Sequence, residues 1–148
     1  MIDIEVTNDY NSNLSYDRKS IKYLFEQVFN KENIHSAKLL LILSDRKYLN
    51  ELKKEYFGLD YFTDVIAFNL NEKNENINGE IYVSIDDVIL NSKQFNESIN
   101  QEFKRIIIHG LLHVLGYNDD TDKNKNNMTK LENKYMSFIS KTLLKIKC

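Results

Sequence analysis

The sequence has no proline, four glycines among its 148 residues, and one cysteine, at its last position. A lone cysteine excludes an internal disulfide and fits a reducing compartment. Triplets such as Asn13-Leu14-Ser15 then carry no glycosylation meaning. No stretch approaches the ~20 apolar residues of a membrane span. MIDIEVTND at the N-terminus places acidic residues where a secretory signal has a basic region and then an apolar one, so a cytoplasmic protein with no membrane partner is expected. A basic excess is missing too. Twenty Lys and Arg against 22 Asp and Glu leave a net charge of -2 and a pI near 5.9. That balance does not advertise nucleic-acid binding, although a local basic face would suffice for phosphate contact. What is present, 42% hydrophobic and 28% charged residues, is the composition of a soluble globule, and a single domain over residues 1–148 is expected.

Hydrophobic periodicity predicts the elements. Residues 2–6 alternate at the two-residue period of a half-buried strand, followed by a polar loop from Thr7 to Asp17. From Tyr16 to Asn30 the apolar residues Ile21, Leu24, Phe25, Val28 and Phe29 recur at helical spacing. KLLLIL at 38–43 reads as a strand buried on both faces. Ser44 and Asp45 then cap a helix to about Phe57, with Leu49, Leu52 and Tyr56 inward and Gly58 closing it. Thr63–Leu70 and Glu80–Ile85 read as antiparallel strands joined through the polar stretch Asn71–Asn78. Asp86 and Asp87 are expected to cap a helix through Leu90 to Lys93, and Asn100 or Gln101 to open another. A polar run, Asp119–Asn127, precedes a C-terminal helix whose stripe is Met128, Leu131, Tyr135, Phe138, Ile139 and Leu143. The predicted fold is α+β, a small four-stranded mixed sheet covered by helices.

The chain is organised around HGLLHVLGYNDD, His109–Asp120. His109 and His113 lie four positions apart, on one helical face. Gly116 can adopt the left-handed conformation that ends a helix, so Asp119 or Asp120 can turn back towards the imidazoles. Two histidines and a carboxylate are the donor set of catalytic zinc sites that keep a position open for water. A closed structural site would need a fourth ligand, for which only His35 and Cys148 are available, and His35 reads as a solvated loop residue. The layout follows extended zincin motifs, in which the third ligand comes just after a glycine turn. One departure matters: Gly110 stands where a zinc peptidase carries its glutamate base, which disfavours peptide hydrolysis.

These residues resemble the signature of the YbeY family, whose usual form reads HGxLHLxGYDH. His109, Gly110, Leu112, His113, Gly116 and Tyr117 match, and Asp119 takes the place of the third family histidine. Thr63–Phe68, TDVIAF, is similar to the family's TDVLSF strand and Gly79–Ser84, GEIYVS, to its GDIxIS strand. The similarity runs from about residue 39 onward, with the first 38 residues matching in pattern only. The resemblance implies a zincin-like, metal-bearing helix and one Zn2+ per chain, held by His109, His113 and Asp119. It also implies single-strand-selective endoribonuclease activity in maturation of the 3′ end of small-subunit ribosomal RNA and in ribosome quality control. Single-stranded RNA, ribosomal RNA or the small ribosomal subunit would be the partners. The family usually has an arginine just before Gly58, where this chain has Phe57; Lys53 or Lys54 could supply its charge. Asp64 and Glu80 are possible carboxylates around the metal or contacts to substrate, and Tyr117 is a candidate for base stacking. Competing readings are a ribosome-assembly factor with a structural metal and little catalysis, and a metal-dependent hydrolase of another substrate.

Overall fold

A computed structural model describes residues 1–71 and 76–146. The elements in chain order are β1 (Ile2–Asn8), β2 (Leu14–Tyr16), α1 (Arg18–Lys31), β3 (Ala37–Ser44), α2 (Arg46–Phe57), β4 (Val65–Asn69), β5 (Ile77–Ser84), α3 (Ile85–Gln94), α4 (Ile99–Val114), α5 (Asp122–Met136) and β6 (Leu144–Ile146). The expected α+β fold with a four-stranded mixed sheet is present. Its strand order is β1-β3-β5-β4, with β1, β3 and β5 parallel and β4 antiparallel to β5 at the edge.

Period-two alternation sorts the two faces. Leu39, Leu41 and Leu43 of β3 and Ile81 and Val83 of β5 join Val65 and Ala67 of β4 in the main core, with Phe25, Phe29, Phe103, Ile107 and Leu111 from the helices. Ile66, Phe68 and Tyr82 face the other way, against Leu49 and Leu52 of α2. Gly79 lies within β5, opposite Leu39 of β3 and Asn69 of β4, and a Cβ there would meet Val114 Cγ1 at 2.5 Å. This close approach seats the C-terminal end of α4 on the sheet.

Several boundaries differ from the sequence expectation, each for a local reason. Ser84, not Asp86 or Asp87, caps α3: its Oγ accepts the Asp87 N–H, while the Asp87 carboxylate engages the Arg46 guanidinium at 2.8 Å. Ser98 caps α4 through the Gln101 N–H. Asn100 instead uses its Oδ1 to accept from Leu143 and Leu144 N–H. Tyr56 is exposed rather than inward. Thr121 caps α5 six residues before the expected polar run ends, and the helix stops at Met136. Ile139 and Leu143 are nonetheless buried, because the chain turns there into β6, which pairs antiparallel with β2. That two-stranded sheet occupies part of the expected Thr7–Asp17 loop. Part of the expected Asn71–Asn78 connection, and Cys148, lie outside the described residues.

Candidate metal centre

Helix α4 presents the histidine pair because its other face is committed to the core. Phe103, Ile107, Gly110, Leu111 and Val114 are buried, and a Cβ on Gly110 would meet Ile81 Cγ2 at 2.8 Å and Val65 Cγ2 at 3.1 Å. Position 110 therefore abuts the sheet, and a glutamate base cannot occupy it without displacing those strands. The helix ends in a Schellman arrangement. Gly116, at φ 100°, donates to His113 O at 3.0 Å, and the Tyr117 N–H donates to Leu112 O at 3.0 Å. That turn swings the Tyr117 carbonyl back onto His113 Nδ1, 3.0 Å away, and carries Asp119 over the histidine pair.

Asp119 Oδ2 lies 3.4 Å from the Nε2 of both His109 and His113, and the two Nε2 atoms are 3.0 Å apart. The opposite ring nitrogens are both engaged. His109 Nδ1 lies 2.5 Å from Glu132 Oε2, supplied by α5, and His113 Nδ1 donates to the Tyr117 carbonyl. An ionised carboxylate and a carbonyl can only accept, so each neutral ring carries its proton on Nδ1 and turns a lone pair inward from Nε2. Two imidazole lone pairs and a carboxylate oxygen thus converge with no donor among them, an arrangement that only a cation, either a proton or a metal ion, relieves. The donor set fits a divalent ion of the zinc class. Burial alone would lower the His109 pKa. The Glu132 hydrogen bond and charge, then Asp119 and Asp64, outweigh it and raise that pKa above its ordinary value.

Asp119 rather than Asp120 reaches the histidines; the Asp120 carboxylate accepts from Asn124 Nδ2 at 2.9 Å. His35 is exposed in the loop after α1, its carbonyl taken by the N-terminal ammonium, and it does not join the cluster. Glu80 accepts from the Tyr82 hydroxyl on β5 and is not part of it either. Tyr117 does not face the cleft: its hydroxyl donates to Glu32 Oε1 at 2.5 Å, and Tyr135 donates to the other oxygen of the same carboxylate. Asp64 does line the site. Asn91 Nδ2 donates to its carboxylate at 3.1 Å, and burial raises its pKa.

The cluster opens on a cavity of about 580 Å³ walled by Thr63–Ala67 at the sheet edge, by His109, His113 and Asp119, and by Lys53, Phe57 and Tyr61. Lys53 thus supplies the cavity's positive charge, whereas Lys54 turns away to Asp60 at 3.5 Å. Glu132 and the Tyr117 carbonyl escaped the sequence reading. A helical stripe marks which residues are apolar, and it gives no signal that one acidic neighbour on that helix will meet a histidine 23 residues away.

A model of the Endoribonuclease YbeY family matches residues 5–140. The chain belongs to the YbeY family. It is 38% identical over 114 residues to the Endoribonuclease YbeY of Karelsulcia muelleri, covering 77% of this chain and 80% of that one. It is 30% identical over 131 residues to the Endoribonuclease YbeY of Salinibacter ruber, covering 83% of each. A solution structure from Thermotoga maritima superposes with a TM-score of 0.62 at 30% identity, over 90% of this chain and 87% of that one. Within this YbeY chain, His109, His113 and Asp119 are brought together by one helix and the turn that ends it. No helix among the described residues is long and apolar enough to cross a membrane.

Proposed function

We propose that this YbeY-family chain is a zinc-dependent endoribonuclease that cleaves single-stranded RNA, acting in maturation of the 3′ end of small-subunit ribosomal RNA and in ribosome quality control. The observation that carries the reading is the convergence of two imidazole lone pairs and one carboxylate oxygen at the wall of an open cleft in a family of endoribonucleases. His109, His113 and Asp119 would hold the ion. When bound, a zinc ion acidifies a coordinated water and polarises a phosphoryl oxygen. Glu132 and the Tyr117 carbonyl fix the two ring tautomers so that both Nε2 atoms stay unprotonated. Asp64 is the carboxylate of the cavity outside the converging set. Its raised pKa suits it to take up a proton from an attacking oxygen. The backbone at the edge strand β4 and the Lys53 ammonium line the path along which a phosphodiester would lie.

Selectivity for single strands follows from the shape of the cleft. An unpaired strand can bend a phosphate into a recess beside a sheet edge, while an A-form duplex keeps its backbone on a rigid surface. The test compares wild type with His113→Ala, purified identically without chelator, on matched single-stranded and duplex RNAs, alongside elemental analysis. Expected are about one zinc per wild-type chain, cleavage of the single strand that stops on chelation and returns with zinc, and loss of both in the variant. Equal cleavage by both preparations would refute the reading. Firm RNA binding without cleavage would favour an assembly factor with a structural metal.

A further inference from the structure

Two aromatic residues that line the cleft are exposed. Phe57, the last residue of α2, is 48% exposed, and Tyr61 is 53% exposed. Both line the cavity that holds His109, His113 and Asp119. Phe57 is backed by Phe68, whose ring lies 5.8 Å away and within 15° of parallel, so one of its faces is supported. Tyr61 belongs to the 58–64 connection, which is tied to α2 at several points. Gly58 closes the helix at φ 65°, Asp60 accepts from Asn50 and pairs with Lys54, and the Arg46 guanidinium sits 4.2 Å from the centre of the Phe62 ring. The Lys53 ammonium lies 5.1 Å from the Phe57 ring centre and 5.0 Å from that of Tyr61, and no carboxylate among the described residues pairs with it.

We infer that Phe57 and Tyr61 form a stacking position for an unpaired base of the RNA, with Lys53 taking the adjoining phosphate. An aromatic face accepts any base, and holding the ring in place beforehand lowers the entropic cost of stacking on it. A cation between two rings is positioned to exchange its weak ring contacts for a phosphate oxygen as the base arrives. A paired base has both faces covered by its neighbours, so the position adds a second reason for sparing duplex. Phe57 and Tyr61 would set affinity for substrate and take no part in bond cleavage. The inference rests on the endoribonuclease reading for the identity of the ligand.

The chain contains no tryptophan, so Phe57→Trp creates a single fluorescent reporter, and Tyr61→Trp a second should the first disturb α2. Each is titrated with a single-stranded oligouridine hexamer, with the same hexamer carrying abasic sites, and with a duplex of equal length. Saturable quenching by the hexamer is expected, weakening with salt, with affinity about tenfold lower for the abasic strand, as loss of one base–aromatic stack produces. In cleavage assays, Phe57→Ala and Tyr61→Ala should each raise KM by roughly tenfold, with the loss carried by KM, and Phe57→Trp should restore it. Silent tryptophans at both positions, or an abasic strand bound as tightly as the intact one, overturn the inference even if wild type cleaves RNA. Quenching by the intact hexamer without cleavage by wild type upholds the stacking position and removes the endoribonuclease reading instead.

Discussion

Glu132 offers the sharpest test of how the histidine pair is prepared for a cation. Its side chain is 8% exposed and its Oε2 lies 2.5 Å from His109 Nδ1, so its charge is poorly screened by solvent. Glu132→Gln keeps the shape and leaves an amide oxygen to accept the Nδ1 proton, but removes the charge that makes His109 a better donor. Partners of this kind change metal affinity by roughly 10- to 100-fold, or about 1.4 to 2.7 kcal/mol. Since the amide preserves the tautomer, Glu132→Gln should fall near tenfold. Glu132→Ala, which leaves no acceptor for the Nδ1 proton and also removes one of the two carboxylates beside the Arg105 guanidinium, should approach 100-fold. Zinc affinity is measured by competition against a chelating dye, with far-UV circular dichroism confirming that each variant is folded. In the metal-free protein the His109 ring titration, followed by NMR, should move down towards its ordinary value in Glu132→Gln. Zinc affinity within twofold of wild type in both folded variants, with an unmoved His109 titration, would refute the reasoning.

Other outcomes follow from the same geometry. Asp119→Ala should weaken zinc retention far more than Asp120→Ala, read by elemental analysis after dialysis, because only Asp119 lies 3.4 Å from both imidazoles. Gly79→Ala should destabilise the fold by about 1–3 kcal/mol, since its Cβ meets the stiff Val114 side chain at 2.5 Å; a calorimetric Tm lowered by roughly 3–10 °C checks it. Asp64→Asn should cut kcat by roughly 10²-fold or more while leaving zinc content intact, the magnitude of a lost proton acceptor. The pH dependence has a definite sign. His109 has a raised folded pKa, so in metal-free protein its contribution to stability is complete below its unfolded value and is lost as pH rises through the folded one. Zinc competes with that proton, so zinc affinity should fall as pH drops through the same window, measured by calorimetric titration at several pH values.

Local chemistry determined much of this protein in advance. The i, i+4 histidines, the glycine that ends their helix and the carboxylate just beyond it lie within eleven residues, and helical periodicity and the left-handed tolerance of glycine act over that range. The strands expected at 2–6, 38–43 and 80–85 were legible for the same reason, since burial of alternate or continuous apolar residues is written along the strand itself, whereas Ile77 and Asn78 of β5 fell within the expected polar connection. Tertiary structure decided the rest. Tyr117 lies inside the motif, yet its hydroxyl is held by Glu32, 85 residues away, which turns the ring from the cleft. Leu14–Tyr16 and Leu144–Ile146 are too short to announce themselves as strands and exist only as each other's partner. Glu132 meets His109, and Phe57 and Tyr61 reach the histidine cleft, because α5 and α2 pack where the sheet and core place them. No periodicity encodes such meetings; they follow from which faces are buried against one another once the chain has folded.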